Sequence, residues 1–491
     1  MSFELLLFIV GFGIYAVLQS IYSIVVNDTW WHLKVGEQLW NGTFTFEDQF
    51  SWTVPGAFWP AHELAFEWLM YGLWLLGGKT FVLVSIFNTG LMIATLLLLL
   101  PTKTLRDRVN GRINWIVPII LLLAGIVLVD FIQIRAQAFS FFFFALTIRL
   151  IISKKPLWIP LVFLVWVWIH GSVLIGIGIT GLATVIVIGR WLLDRKNKEK
   201  AKDALKFSIG GILSLVATLL SPLGFKLWEY FVQTFTFKDS NIQEWQPIWT
   251  AEITFFQAIA IGIMAIPALY LIRKVLLTWE MIFLVSTFLF LAVYSLSALR
   301  VFGNLALIAV PIFTLAAMVN WNRFPKKKPT NTKRAIYAVT SVIVITASIF
   351  YSITTSTGIL AASARNPFTT NNIDTALRSD ECSNSLWNDY DAGAFLIWFM
   401  PDIKVSIDSR FDLYPRWVTE ATGVVTAPGS PYDPTALLNV QLQKYEINCL
   451  LFVNNSDSDA LKDRGLAVIA ENQDMVLLRL ENHTIPLGKD S

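Results

Sequence analysis

The chain has 491 residues, of which 55% are hydrophobic and only 15% are charged. Soluble globular domains carry about 25% charged residues, so this composition excludes an ordinary soluble protein and predicts a polytopic α-helical membrane protein. The net charge of +3 is too small to identify a partner. We expect the lipid bilayer to be a partner of the protein, and we expect no binding to nucleic acid.

About eleven segments are apolar enough to be predicted as membrane spans, since a helix needs about 20 such residues to cross a bilayer. The first lacks a basic leading region and a small-residue cleavage site, so we expect a true helix and not a signal peptide. The predicted spans are 4–26, 80–101, 114–133, 137–153, 156–169, 171–190, 207–221, 251–272, 279–299, 301–321 and 334–356.

Alternate loops between these spans differ sharply in charge. More than half of the 38 Lys and Arg residues fall in 102–113, 153–155, 190–206, 273–274 and 322–334. The positive-inside rule makes these loops cytoplasmic. We therefore expect a plasma-membrane protein with its N-terminus inside, and with the loop 27–79 and everything after residue 356 on the outer face.

The C-terminal part has a different pattern. Its apolar runs shorten to strand length, at 405–407, 449–453 and 475–478. A helix-like segment, 434–446, lies between two of them, and such alternation predicts a small α/β unit. The expected division is a transmembrane domain, 1–356, followed by an extracytoplasmic α/β domain, 357–491.

Both cysteines of the chain, Cys382 and Cys449, fall in this outer domain. A disulfide between them would suit an oxidising compartment. Two buried thiols in a strand core are the alternative, and the sequence leaves both open.

The loop 27–79 concentrates the polar chemistry. Asp28 and His32 are four residues apart, so a helix continuing beyond the first span would place them on one face. A carboxylate there could be a general base for an acceptor hydroxyl, and His62 and Glu63 add further base or ligand types. The four could instead hold a divalent metal ion that neutralises a phosphate leaving group.

A structural interpretation of the same loop is an aromatic belt at the membrane interface. Polar residues would then lie beside the tryptophans because water is near. The tryptophans concerned are Trp30, Trp31, Trp52, Trp59 and Trp68.

Three further candidates are predicted at outer ends of spans: Arg135, His170 and Arg300. Arginine suits bidentate phosphate binding, so Arg135 and Arg300 are candidates for a lipid-linked phosphate and His170 for substrate. Taken singly, each is more often an interface anchor or a packing contact. The predicted helix interiors are nearly free of charge, which argues against a transporter.

The segment from Asp28 to Gly36, DTWWHLKVG, resembles the "D-x-W-W-H-L-x-x-G" signature of a group of bacterial and archaeal multi-span proteins. That group is related to the GT-C glycosyltransferases, which include protein O-mannosyltransferases and aminoarabinose transferases. Further matches occur at 50–53, 62–64, 77–78, 170–171, 221–224, 244–247, 300, 304, 388–394 and 407–414. Four positions depart from the pattern: Leu64, Ser221, Ala392 and Ser409.

The resemblance implies a GT-C fold and an inverting transferase that uses a polyprenyl-phosphate sugar at the outer leaflet. Asp28 matches the position of the superfamily's catalytic carboxylate. His32, His62 and Glu63 would orient it, hold the sugar or bind a metal.

By the same resemblance, Arg135 and Arg300 would stabilise the departing lipid phosphate, the electrostatic contribution that is usually largest. The acceptor would be a glycan, a lipid or a protein. The competing interpretation is a non-enzymatic carrier or assembly scaffold for lipid-linked glycans.

The outer-domain segment Asp408-Ser409-Arg410-Phe411-Asp412 has two interpretations. Side-chain hydrogen bonds from an Asp more often fix a turn. The functional interpretation is binding of the acceptor.

Overall fold

The computed structural model describes residues 12–13, 28–111, 113–114, 116–128, 134–236, 246–321, 366–370, 372–410, 413–415, 417–419, 434–454 and 456–486. Contacts between Cα atoms divide the chain into two compact units. The membrane unit comprises 1–24 and 73–360, and the second unit comprises 25–72 and 361–491. Apart from residues 12 and 13, the first predicted span lies outside the described residues, as does the last.

The described part is mostly helical. Its helices are α1 (Asp28–Asn41), α2 (Leu64–Leu76), α3 (Val82–Leu98), α4 (Lys103–Arg108), α5 (Ile116–Leu128), α6 (Gln137–Ile152), α7 (Ile159–Trp166), α8 (Val173–Leu192), α9 (Lys198–Thr218), α10 (Phe225–Thr236), α11 (Glu252–Leu271), α12 (Trp279–Ser295), α13 (Phe302–Trp321), α14 (Ile373–Leu377), α15 (Tyr390–Phe399), α16 (Pro434–Lys444) and α17 (Ser456–Asp463). Short 3-10 helices lie at Pro156–Trp158, Ile248–Thr250 and Leu299–Val301.

Four helical segments are long and apolar enough to cross a membrane: Val82–Arg108, Val173–Leu192, Thr254–Leu271 and Leu299–Val319. Shorter apolar helices accompany them. Every span predicted between residues 80 and 321 overlaps a described helix, and the chain is an integral membrane protein. Its orientation stays a prediction.

Helix α9 shows where hydrophobicity misjudges a helix end. The span was predicted to begin at 207, but the helix begins at Lys198, inside a segment predicted to be a basic loop. The Asn197 side chain caps it by accepting hydrogen bonds from the backbone N–H groups of Glu199 and Lys200. Such a cap satisfies otherwise unpaired amides, so the charged turns are helical although they are not apolar.

The second unit contains a four-stranded mixed sheet, β1 (Leu386–Asn388), β2 (Cys449–Val453), β3 (Ala467–Glu471) and β4 (Met475–Arg479). The strand order is β1-β2-β4-β3. Strands β1 and β2 are parallel, whereas β4 is antiparallel to both of its neighbours. Residues of β2 and β4 pack with Leu438 and Leu442 of α16 in one apolar core. The predicted strands at 449–453 and 475–478 and the predicted helix at 434–446 are confirmed.

The strand predicted at 405–407 is wrong. Val405 makes only an isolated parallel bridge with Ser51, and the backbone N–H of Ser406 donates to the side chain of Asn388 at 2.7 Å. This buried run is therefore satisfied by a loop and a side chain.

The loop after the first predicted span folds with the C-terminal residues. The Thr53 hydroxyl donates to the Ser406 carbonyl at 2.6 Å, and Trp52 Nε1 donates to the Leu386 carbonyl at 3.2 Å. Residues 25–72 accordingly belong to the second unit, whereas the sequence grouped them with the transmembrane domain.

Cys382 and Cys449 form a disulfide across 67 residues of sequence, which decides between the two interpretations of these cysteines. By loop-closure entropy a loop of this length stabilises by about 4 kcal/mol. We expect reduction to lower the free energy of unfolding of the second unit by about that amount. Denaturant titration with and without reductant measures it, with a Cys382→Ser/Cys449→Ser variant as control, and an unchanged midpoint would contradict the prediction.

Candidate active site around His32

Helix α1 positions the first set of candidate residues. Its described part begins at Asp28. Asp28 is half-buried, and the helical spacing puts it on the same face as His32, as the sequence predicted. Trp30 packs against Phe395 and Phe399 of α15 at ring-centroid distances of 5.7 and 4.7 Å. The helix is thereby fixed on the α/β core of its unit.

Most of the tryptophans proposed for an interfacial belt have a different role. Trp30, Trp31 and Trp59 are buried in the second unit, and Trp31 and Trp59 contact each other edge to face at 5.5 Å. Trp52 is half-buried, and only Trp68 of the five is exposed. The belt interpretation is therefore wrong for the three buried rings, because they are core residues.

Helices α1 and α2 approach each other closely at Gly36. A Cβ atom there would lie 2.4 Å from the Glu67 carbonyl oxygen and 2.7 Å from Tyr71 Cβ, so only glycine fits. Nearby, Trp40 stacks on Trp68 at 5.2 Å. This close contact brings the buried faces of the two helices together beside His32.

The imidazole of His32 lies between two carboxylates. Its Nδ1 is 3.0 Å from Glu67 Oε1, and its Nε2 is 3.5 Å from Glu63 Oε2. The ring is 3% exposed and is enclosed by Trp31, at a centroid distance of 3.6 Å, and by Phe66, at 5.3 Å. His32 is thus held in place on both its polar and its apolar sides.

The cluster continues from Glu63 to His62. His62 Nε2 is 3.8 Å from Glu63 Oε1, and its Nδ1–H donates to the Pro60 carbonyl at 3.1 Å. Both His62 and Glu63 are half-buried, so this end of the cluster is the more accessible one. The structure therefore brings together three predicted site residues, His32, His62 and Glu63.

Glu67 completes the cluster, and sequence reasoning missed it. It is 1% exposed, and its Oε2 has no hydrogen-bond partner among the described residues. Burial raises the pKa of Glu67 well above its ordinary range, the charge of Glu63 raises it further, and Arg410 opposes the shift. The missed signal was the spacing, because Glu63 and Glu67 are four residues apart at the start of an apolar helix.

A second buried cluster surrounds Arg410, which is 2% exposed. Its guanidinium binds Asp408 in a bidentate manner at 2.7 and 2.9 Å and donates to Asp48 at 2.7 Å. The ring centroids of Phe50 and Trp59 each lie 4.8 Å from the guanidinium carbon. Burial, the largest single influence, lowers the pKa of Arg410. The charge of Asp408 and its hydrogen bond, together with the charges of Tyr414 and Asp48, outweigh burial and hold the pKa above its ordinary value.

The Arg410 cluster bears on the interpretation of the 408–412 segment. The backbone N–H of Arg410 donates to the Asp408 carboxylate at 2.8 Å, which confirms the turn. The Tyr414 hydroxyl also donates to Asp408, at 2.7 Å, and Trp31 Nε1 donates to the Ser409 hydroxyl at 2.9 Å. Residues 411 and 412 lie outside the described residues, and acceptor binding stays a prediction.

The remaining candidates belong to the membrane unit. Arg135 lies just before α6, and Arg300 lies in the 3-10 helix Leu299–Val301; both are half-buried. His170 is buried, and its Nδ1 is 2.8 Å from both the Ser140 and the Ser172 hydroxyls. These contacts fix its ring, and the phosphate-binding and substrate-binding roles of the three stay predictions.

The alternative role of Asp28, His32, His62 and Glu63 as metal ligands finds no geometric support. No three His, Cys, Asp or Glu side chains within the described ranges form a group that could hold a metal ion. Both ring nitrogens of His32 already face carboxylate oxygens. The arrangement fits an internally bonded acid–histidine cluster better than a metal site.

Comparison with known proteins gives little further identification. No protein-family model and no curated protein sequence match the chain. Among solved structures, it is similar to the crystal structure of ArnT from Cupriavidus metallidurans bound to undecaprenyl phosphate. The sequence identity is 10% and the TM-score 0.44, over 98% of this chain and 99% of that one. A likeness of this degree supports no conclusion about activity.

Proposed function

We propose that this protein is a membrane glycosyltransferase. It moves a sugar from a polyprenyl-phosphate donor to an acceptor at the outer face of the membrane, with inversion at the anomeric carbon. The observation that carries the proposal is the acid–histidine cluster of His32, Glu63 and Glu67, in which His32 shares helix α1 with Asp28. Burying ionisable groups is costly, and strongly perturbed groups are concentrated at functional sites.

Asp28 acts as the general base in this proposal. Its carboxylate takes the proton of the acceptor hydroxyl while the hydroxyl oxygen forms a bond to the anomeric carbon of the donor. The bond from that carbon to the phosphate oxygen breaks, and polyprenyl phosphate leaves with the electron pair. A single displacement of this kind inverts the anomeric configuration.

The neighbouring cluster supports the base. His32 lies one turn along the same helical face as Asp28, and Glu63 with His62 forms the more accessible end of the cluster. These side chains orient the acceptor or the sugar through hydrogen bonds. Arg135, Arg300 and His170 keep their predicted roles in phosphate and substrate binding, on the basis of residue type.

A transfer assay tests the proposal. Purified full-length protein in lipid nanodiscs is given radiolabelled polyprenyl-phosphate sugars and a membrane extract as the source of acceptor. We expect label to leave the donor and appear in an acceptor fraction, in proportion to enzyme. Label that stays on every donor, while the folded protein still binds polyprenyl phosphate, would contradict the proposal.

The same preparation separates a transferase from a carrier. In sealed vesicles a carrier moves labelled donor across the membrane without forming a new glycosidic bond. Transfer that continues in detergent, where no compartment exists, is expected of the enzyme alone. Movement of donor without a new bond would favour the carrier.

A further inference from the structure

The proposed base chemistry assigns no role to Glu67. It is the acidic residue in the first turn of α2, and it faces His32 Nδ1 from the buried side. We propose that Glu67 is a positioning residue: its protonated carboxyl donates to His32 Nδ1 and thereby keeps the ring proton on Nε2, facing Glu63. The buried carboxyl of Glu67 thus determines which nitrogen of His32 carries the ring proton.

Counting charges favours this arrangement over the alternatives. With Glu67 protonated and His32 neutral, the three side chains carry a single charge, on Glu63. Moving the Glu67 proton to Nδ1 would create an imidazolium between two carboxylates, which means three charges in a buried site. Because burying charge is expensive, the singly charged arrangement is preferred, and it places that charge on the more accessible carboxylate.

The second neutral tautomer fits the contacts less well. If Nδ1 carried the ring proton, Nε2 would present a lone pair to the Glu63 carboxylate at 3.5 Å. Two acceptors would then face each other unless Glu63 took up a proton. The observed order, from Glu67 through His32 to Glu63, instead gives each hydrogen-bonding pair one donor and one acceptor.

The surroundings of the cluster are consistent with a neutral Glu67. The nearby carboxylate of Glu63 disfavours a second negative charge, whereas the Arg410 guanidinium favours it. Arg410 is already bound by Asp48 and Asp408, so its charge is largely neutralised. The rings of Trp31 and Phe66 also contact His32. Phe66 has no hydrogen-bond donor, and the indole N–H of Trp31 already donates to the Ser409 hydroxyl.

A pH dependence follows from the raised pKa of Glu67. A carboxyl whose pKa is higher in the folded protein stabilises the fold most below its unfolded value, and this stabilisation is lost as pH rises through the folded value. Above that pH Glu67 becomes an acceptor, and the ring proton moves to Nδ1. The tautomer of His32 is therefore expected to switch in the same pH range in which stability falls.

Nuclear magnetic resonance of full-length protein with ¹⁵N-labelled histidine tests this directly. The chain has only 4 histidines, and a His32→Gln variant assigns the signal. At a pH just above the ordinary range of a glutamate, we expect neutral His32 with its proton on Nε2. A proton on Nδ1, or on both nitrogens, would overturn the proposal.

Two substitutions of Glu67 distinguish positioning from packing. In Glu67→Gln the amide still donates to Nδ1, so the Nε2–H tautomer should persist and no longer change with pH. In Glu67→Met the donor is lost while the volume is kept, and the two tautomers should interconvert. A Glu67→Gln protein that keeps the wild-type pH response would contradict the proposal, even if Glu67→Met fails to fold.

Glu47→Gln is the matched control, because Glu47 is an exposed carboxylate of the same unit. It should leave the His32 signal unchanged. The consequence for transfer rests on the proposed function: Glu67→Met should slow transfer by roughly tenfold or more, by analogy with the loss of partners that orient metal-ligating histidines. Absence of transfer in wild type would reject the proposed function and leave the spectroscopic result standing.

Discussion

Replacing Asp28 by Asn is expected to lower the rate of sugar transfer by at least about 100-fold, the usual contribution of a general base. Asn has nearly the shape and volume of Asp, but its amide cannot take the acceptor's proton. Asp28 is half-buried, and the substitution keeps the size of its side chain, so no cavity is created. The unfolding midpoint should therefore barely change, and the defect should lie in turnover.

Glu37→Gln provides the matched control for that experiment. Glu37 is on the same helix and pairs with Lys34 at 2.6 Å, away from the His32 contacts. Its substitution removes an equal charge and should leave transfer intact. If Asp28→Asn turns over at the wild-type rate, Asp28 is not the general base. Glu63, the more accessible carboxylate of the cluster, then becomes the candidate for that role.

The helices could be predicted because their determinants are local. An apolar run of sufficient length indicates a span, and the four-residue spacing of Asp28 and His32 indicated their shared face on α1. The same rule applied to Glu63 would have found Glu67. Glu67 escapes a sequence-based selection because it lies inside the apolar run of α2, where polar site residues are not expected.

The relation between the first loop and the C-terminal residues could not be predicted in this way. Asp48 and Arg410 pair directly although 362 residues separate them, and Trp31 reaches Ser409 across 378. Neither composition nor spacing encodes such pairing, because it depends on the three-dimensional packing of the whole unit. For the same reason the segment around Val405 was predicted to be a strand, whereas Val405 only bridges to Ser51 in the first loop.

Arg410→Met is expected to destabilise the second unit by about 3–5 kcal/mol, the usual cost of removing one partner from a buried ion pair. Arg410 is the cation for both Asp48 and Asp408, whose side chains are fully buried. Methionine fills most of the volume but leaves two carboxylates close together without a positive charge. Denaturant unfolding of the full-length protein, followed by tryptophan fluorescence, measures the loss.

Arg479→Met is the control, since Arg479 pairs with Glu381 at 2.7 Å on an exposed surface. Exposed pairs contribute only about 0–1 kcal/mol, so this variant should unfold close to wild type. Adding Asp48→Asn to Arg410→Met should recover part of the loss, because one of the two unpaired charges is removed. If Arg410→Met and Arg479→Met lower the free energy of unfolding by equal amounts, the buried cluster does not stabilise the packing of the first loop on the α/β core. If the expected difference is found, this ion cluster holds Trp59 in place, and Trp59 in turn packs on Trp31 beside His32. The proposed active site then depends on the contact between the first loop and the C-terminal residues.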